Sequence, residues 1–300
     1  MIYTLGESLL DIIFTDMDHL VARPGGSMLN TAISLARMNH KVAHISELGD
    51  NEVAMMVIRF LNENQVDTSL ITCYARSNTS LALAVLDDKK VPAYQFVKAY
   101  PERRFLAEVP AYHPSDLLLF GSMYAATAQI RMDLKRHVLA VKKAGGLLVY
   151  DPNIRQKHHL DNSDTVEAVM ENLKWATVIK ASDEDCAQIF GVNDQETYLD
   201  KLTEINPKAL IFLTLGAKGA MCRLQNKTVS MEAIKTEVVS TIGAGDAFNA
   251  GLIAELIKQK ITTKDITTLS EKNLLKLLQS GIKTATAVCA TYDNYISRSL

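Results

Sequence analysis

The sequence predicts an α/β protein, a mostly parallel sheet with helices on both faces, and three observations carry that prediction. Short apolar runs alternate with longer amphipathic ones, which is the rhythm of strands joined by crossover helices. The apolar runs end in Gly, Ser, Pro or Asp turns, as buried strands do. Two segments, 12–24 and 72–99, break the rhythm with alternating and β-branched residues and read as a small β unit apart from the core.

In chain order, "MIYTLGESLLDIIF" has no basic leader and no small-residue cleavage site, and acids interrupt it, so it reads as a strand of the mature protein. The run 41–48 is the next strand and 51–64 carries helical spacing. Residues 72–99 supply antiparallel strands that turn at Asp87-Asp88-Lys89. Strands at 116–122, 146–152 and 176–182 are each followed by a helix, at 129–144, 164–174 and 183–190. A strand at 209–216 and helices after Gly245 and over 270–291 complete a single domain, 1–300. The inserted β unit would close over a site as a lid or pair with a second copy to form a homodimer.

Composition narrows the function classes. Of 300 residues, 48% are hydrophobic and 22% charged, with a net charge of −2 and the signs interspersed. That excludes a basic nucleic-acid groove and a polybasic membrane patch, and no apolar run approaches the roughly 20 residues of a membrane span. Cys73, Cys186, Cys222 and Cys289 lie far apart, which points to a reducing cytoplasm rather than a disulfide framework. No Walker A loop, no G-x-G-x-x-G after the first strand, no H-E-x-x-H and no G-x-S-x-G occurs.

Two constellations remain. In "STIGAGDAFNAGLIAELI", Gly243-Ala244-Gly245 precede a segment apolar nearly all round, the pattern of a buried helix. Such a helix start offers unpaired N–H groups and partial positive charge, and glycines let an anion approach them. Asp246 in the first turn would sit beside a bound phosphate and take a proton from a hydroxyl, or it would merely cap the helix. In "RPGGSMLNTAISLAR", Gly25-Gly26 precede a helix with Leu29, Ala32, Ile33 and Ala36 on one face. Asn30, Ser34 and Arg37 fall on the other face, so Asn30 is either solvent-facing or a hydrogen-bonding group for a small polyol. Asp11 interrupts "LLDIIF" and needs partners or a polar cavity, as a ligand contact or a turn cap.

With "GESLLD", "DPNIR", "KASDED" and "TLGAKG" between and around them, these two blocks resemble the paired signatures of the ribokinase-like, PfkB-type carbohydrate kinases, in order and along essentially the whole chain. The resemblance implies a three-layer α/β/α ribokinase-like fold with a small β-strand lid. The opening "GESLLD", "FGS" at 120–122 and "DPNIR" look most like the fructokinase and 2-keto-3-deoxygluconate kinase branches. It implies that Asp246 is the base activating a sugar hydroxyl toward the γ-phosphate of ATP, over an anion hole from Gly243, Ala244 and Gly245. Asp11, Gly26 and Asn30 match sugar contacts, and Arg155 matches a substrate-binding arginine near the substrate and the phosphate path. Phe96 and Lys98 would reach down from the lid, and Thr214, Gly216 and Lys218 lie on the nucleotide-binding turn. Two departures stand out. Ser240-Thr241-Ile242 replaces Asp-Thr-Thr, which puts a monovalent cation such as K⁺ in doubt. Ser182-Asp183-Glu184-Asp185 replaces Asn-x-x-Glu, leaving Asp185 as the candidate metal residue for Mg²⁺.

The implied activity is an ATP- and Mg²⁺-dependent kinase acting on a primary hydroxyl of a ketose, fructose first. Ketodeoxygluconate, ribose and nucleoside kinases are the alternatives within the family. A non-catalytic sugar or nucleotide sensor is the alternative outside it.

Overall fold

The computed structural model describes residues 1–14, 19–86, 92–154 and 162–298. The chain opens with β1 (Ile2–Leu5), β2 (Leu9–Phe14), β3 (Leu20–Gly25), α1 (Ser27–Arg37), β4 (Val42–Gly49) and α2 (Glu52–Glu63). Four strands follow: β5 (Val66–Asp67), β6 (Ile71–Tyr74), β7 (Leu81–Leu86) and β8 (Pro92–Val97). Strand–helix alternation then takes over with β9 (Leu117–Gly121), α3 (Arg131–Ala144), β10 (Leu147–Asp151), α4 (Ser163–Trp175), β11 (Val178–Ser182), α5 (Asp183–Phe190), α6 (Gln195–Ile205) and β12 (Leu210–Thr214). The hairpin β13 (Ala220–Leu224) and β14 (Lys227–Met231) leads to α7 (Ala244–Lys258) and α8 (Glu271–Cys289).

The large sheet runs β14-β13-β12-β11-β10-β9-β1-β4-β5, with β6 also on β4. Every pairing in it is parallel except those of the terminal hairpin. Period-two alternation divides its side chains between two cores, which makes three layers. Leu117, Leu119, Leu147 and Val149 pack with α1, α2, α7 and α8. Leu118, Phe120, Leu148 and Tyr150 pack with α3, α4, α5 and α6. Helix α7 lies between sheet and α8, buried from Asp246 to Leu256, as its nearly uniform apolarity predicts.

The small sheet has the order β3-β2-β7-β8. Its strands overlap the two segments that break the sequence rhythm, but β2 begins at Leu9, inside the opening run read as one strand, and two further corrections apply. Residues 71–74 belong to the large sheet, paired in parallel with Ser46–Gly49, so the second contribution to the small sheet begins at Leu81. The central pair β2–β7 is parallel, whereas β2–β3 and β7–β8 are antiparallel. Register places Asp11, Ala82 and Phe96 on one face, and Phe14, Leu20 and Val85 on the other.

Candidate active site

Two helix starts meet at the centre of the molecule. Gly26 is the N-cap of α1 at φ 127, and a Cβ there would stand 2.1 Å from the Glu7 carbonyl oxygen. Gly243 is the N-cap of α7 at φ 79, where a Cβ would stand 2.2 Å from the Asn294 carbonyl oxygen. Only glycine meets both the positive φ and the close backbone approach. Neither helix carries a side-chain cap. The Ala244 N–H turns back to Thr241 O at 3.3 Å, while those of Gly243 and Gly245 have no hydrogen-bond partner among the described residues. The expected cradle of three open N–H groups is therefore one of two.

Asp246, 3% exposed, is held across this junction. The Ser27 hydroxyl donates to its Oδ1 at 2.5 Å and the Asn30 amide to its Oδ2 at 2.9 Å. Thr31 donates to its carbonyl at 3.0 Å, and Asn153 Nδ2 donates to Ser27 Oγ at 2.9 Å. Asn30 thus faces inward, 3% exposed, because α1 is covered on its polar face by α7. Helical periodicity cannot see a second helix laid over the hydrophilic stripe. Among the described residues, Asn30 Oδ1 is buried without a partner, and so is Asn294 Nδ2.

A pocket opens in front of this junction, between the small sheet and the carboxyl ends of the parallel strands, where α/β sheets bind ligands. Asp11, Gly26, Asn30, Phe96 and Lys98 line it, five positions that the sequence motifs point to. Ser27, Glu7, Tyr100, Arg104, Asn153 and Asn294 line it too, and sequence reasoning misses them. Asp246 lies one hydrogen bond behind the wall that Ser27 and Asn30 form. Arg155 falls outside the described residues. Thr214 ends β12, and Gly216 and Lys218 form the exposed turn after it, away from this pocket.

One wall of the pocket is a buried charge network. Glu47, 1% exposed, accepts from Arg104 Nε at 3.1 Å and Nη2 at 2.7 Å, from Tyr74 at 2.5 Å and from the Tyr124 hydroxyl. The Arg104 guanidinium lies 3.7 Å above the Tyr100 ring, whose hydroxyl donates to Glu7 at 2.8 Å. Burial works against the Arg104 charge, but hydrogen bonding and attraction from Glu47 outweigh it and hold the group above its ordinary value. Burial and then the charge of Glu47 push the Tyr124 phenol well up, so it stays a donor.

Beneath α7 lies a second cluster. Lys180 Nζ is 3.0 Å from Asp151 Oδ2, which also accepts from Asn249 Nδ2 at 2.6 Å. Asp185 accepts from Ser182 N and Oγ, both at 2.8 Å, and from Ile154 N at 2.6 Å. The bond from Ser182 N, reciprocated by Asp185 N–H donating to Ser182 Oγ at 3.0 Å, closes a capping box at the start of α5, and the bond from Ile154 N pins the turn after β10. Burial, then the neighbouring Asp151 charge, raises the Asp185 pKa, and its oxygens are largely committed to these donors. No cluster of three or more His, Cys, Asp or Glu side chains suited to a metal occurs among the described residues.

Known proteins share the family and the fold of this chain. The model of the pfkB family of carbohydrate kinases matches residues 2–298. A fructokinase of Salmonella typhimurium is 28% identical over 270 residues, covering 89% of this chain and 88% of that protein. Probable fructokinase-4 of Arabidopsis thaliana is 28% identical over 286 residues, 90% of this chain and 86% of that protein. A fructokinase of Vibrio cholerae O395, solved with fructose, ADP and calcium ion bound, superposes with a TM-score of 0.84 at 21% identity, covering 99% of this chain and 95% of that one. Aminoimidazole riboside kinase of Salmonella enterica gives 0.83 at 18% identity, covering 100% and 96%. These two superpositions establish the ribokinase-like α/β fold.

Proposed function

The chain belongs to the pfkB family of carbohydrate kinases, and we propose that it transfers the γ-phosphoryl group of ATP to a primary hydroxyl of fructose with Asp246 as the base. The observation that carries this reading is the junction itself: a buried carboxylate one hydrogen bond behind the wall of a polar pocket, beside the open N–H groups of a glycine-led helix start. The acceptor hydroxyl would take over from Ser27 the hydrogen bond to Asp246 Oδ1. Asn30 Oδ1 and Asn294 Nδ2, an acceptor and a donor each without a partner among the described residues, suit sugar hydroxyls, since a buried polar group left unpaired costs about 1–3 kcal/mol. Phosphoryl transfer asks chiefly for positioning and charge stabilisation, which the N–H groups of Gly243 and Gly245 and the partial charge of α7 supply.

The charge in the pocket favours a neutral sugar over a keto acid. Glu7 and Asp11 line it, and Arg104 already carries Glu47 as its counter-charge. A substrate carboxylate would find Lys98 as its one uncommitted cation among the described lining residues. A nucleoside base would want ring faces, and Arg104 covers that of Tyr100.

ATP would lie over the β12 turn with Thr214, Gly216 and Lys218, its phosphates leading toward α7. Mg²⁺ would arrive on those phosphates and keep several waters, as it does in kinase sites. Asp151 Oδ1, buried without a partner among the described residues, is a hard oxygen donor open to it. Asp185 would act through water at most. The outer face of the small sheet exposes Leu20, Val85 and Val97, which supports a homodimer through that face. The cysteines stand free, in keeping with a cytoplasmic setting.

Coupled ADP release with MgATP against fructose, ketodeoxygluconate, ribose, adenosine and glucose tests the reading. Turnover on fructose, with kcat/KM at least tenfold above the others, is expected. Nucleotide binding without ADP release on any of them would favour the sensor instead.

A further inference from the structure

The segment that follows α8 touches both the pocket and the start of α7. Its later residues are anchored on α1. Arg37 Nη1 donates to Ile296 O at 2.6 Å, Ser34 Oγ accepts from Ile296 N at 3.3 Å, and the Arg37 guanidinium lies 4.6 Å from the centre of the Tyr295 ring. Just before these, Asn294 is buried and lines the pocket, with its Nδ2 lacking a partner among the described residues. Its backbone abuts the N-cap of α7, where a Cβ on Gly243 would stand 2.2 Å from Asn294 O. A buried amide donor left open at a pocket wall has a ligand atom as its natural partner.

The residue before Asn294 ties this segment to the small sheet. Arg23 Nη1 donates to Asp293 Oδ1 and to Tyr292 O, both at 2.7 Å. Arg23 stands in β3 directly across from Asp11 of β2, which lines the same pocket. Only Pro24 and Gly25 separate it from Gly26, the N-cap of α1 at φ 127, so it sits where the small sheet joins the body of the molecule. The side chains are 26% and 41% exposed, and a pair so open to water adds little to stability by itself. What it does is geometric. It spans two parts of the chain about 270 residues apart and sets Asp11, on one of them, against Asn294, on the other.

We propose that Arg23 and Asp293 are positioning residues for the sugar: their ion pair fastens the small sheet to the segment after α8 and aims the neighbouring Asn294 amide at a sugar hydroxyl. The proposal rests on the carbohydrate-kinase reading above. The Asn294 N–H donates and the hydroxyl oxygen accepts, and no covalent bond changes. Such a contact is made in the ground state and the transition state alike, so it governs sugar affinity and leaves the chemical step to Asp246. Arg23 and Asp293 act only through Asn294, which separates them from a pair that merely holds the fold together.

Arg23→Gln and Asp293→Asn each break the ion pair, and thermal melting identifies which variants fold. In either, KM for fructose is expected to rise about fivefold, the upper end for a part-exposed pair, with kcat changed less than about twofold. Asn294→Ala should raise the same KM about tenfold. In the Asn294→Ala background, Arg23→Gln should then add less than about twofold, because the pair has nothing left to aim. A folded Arg23→Gln protein with a lower melting temperature and an unchanged KM would overturn the proposal and leave the pair as structure. Full additivity with Asn294→Ala would overturn it as well. Should the variants not fold, a crystal of the wild type with fructose decides. Asn294 Nδ2 about 3 Å from a sugar oxygen, with the Arg23–Asp293 pair closed, supports the role, and an amide turned away from the sugar removes it. A wild type that binds no fructose by calorimetry and releases no ADP with any sugar would count against the kinase reading itself and take this proposal with it.

Discussion

Helices α5 and α7 each carry an aspartate at the third position of the first turn, and the two residues have opposite fates. Asp185 closes a capping box with Ser182, the N-cap, and commits its other oxygen to the Ile154 N–H. Asp246 has glycine as its N-cap, so no cap side chain reciprocates, and its oxygens are taken instead by Ser27 and Asn30 of another helix. A capping box is a local exchange between residues three apart. Replace its first member with glycine and the same acid becomes available to a ligand, while the helix keeps open N–H groups to bind an anion. An acid in a first turn is therefore read by its N-cap: Ser makes it structure, Gly makes it a reagent.

The contrast stands or falls first on Asp246→Asn. This change should lower kcat by about 10²–10⁴ while the melting temperature stays close to wild type, because the amide keeps the volume and cannot accept the sugar's proton. Steady-state ADP release and a thermal melt on the same preparation measure both. An Asp246→Asn protein with wild-type kcat would return the residue to the status of a cap and end the proposed mechanism.

Much of this contrast is legible in the order of residues along the chain. The Gly-Ala-Gly-Asp block ahead of an apolar run announces a buried helix with an open start, and the alternation of runs announces the parallel sheet. Contact across the chain is not legible in the same way: Ser27 and Asp246 are 219 residues apart, and nothing in either neighbourhood names the other. Asn30 stays undecided between two faces because period-3.6 reasoning assumes one solvated stripe, and α1 has none beneath α7. Lys180 carries the same signal as Asp11, a charge inside an apolar run, but the motif that follows it points to Asp185 instead. The pairing of 71–74 with β4 is hidden because a short edge strand without a helix behind it resembles the strands of the small sheet.

Buried titratable groups that neighbours have consumed should report in stability rather than in rate, and His44 extends the comparison to a base. Thr4 Oγ1 meets its Nδ1 at 2.8 Å and Ser8 Oγ its Nε2 at 2.9 Å, and burial pushes its pKa down to about 4. Above pH 6.5 neither the folded nor the unfolded chain protonates it, so it contributes no pH dependence there. Below that value the unfolded chain takes a proton that the folded one refuses until about pH 4, so stability falls through this window by roughly 3 kcal/mol. Denaturant midpoints between about pH 7 and pH 4 should show that slope, and His44→Gln should flatten it. A wild-type curve as flat as the variant's would mean that the buried ring titrates normally.

Asp185→Ala gives the inverse of the Asp246 result. It removes the acceptor for Ser182 and Ile154 N–H groups that are part-buried and buried, and should cost about 2 kcal/mol of stability. Activity measured well below the melting temperature should fall no more than about tenfold, through looseness of the turn after β10 rather than loss of a ligand. A fall comparable to that of Asp246→Asn, without a change in melting, would place Asp185 on the metal after all and dissolve the distinction between the two acids.

The subtlest change concerns what glycine capping leaves for another helix to do. Ser27 holds Asp246 Oδ1 at 2.5 Å and is itself held by Asn153, so in the absence of sugar the base is aimed by a hydroxyl that the substrate must displace. Ser27→Ala removes the aim and also the competitor. If aim dominates, kcat drops about tenfold, or ~1.4 kcal/mol, with KM for the sugar unchanged, since an oriented base matters only in the transition state. If displacement dominates, KM falls and kcat holds. Because Asn30 still grips the other oxygen, we expect the first outcome at modest size. A Ser27→Ala enzyme equal to wild type in both constants would show that α7 positions its own acid, and that the reach from α1 is packing alone.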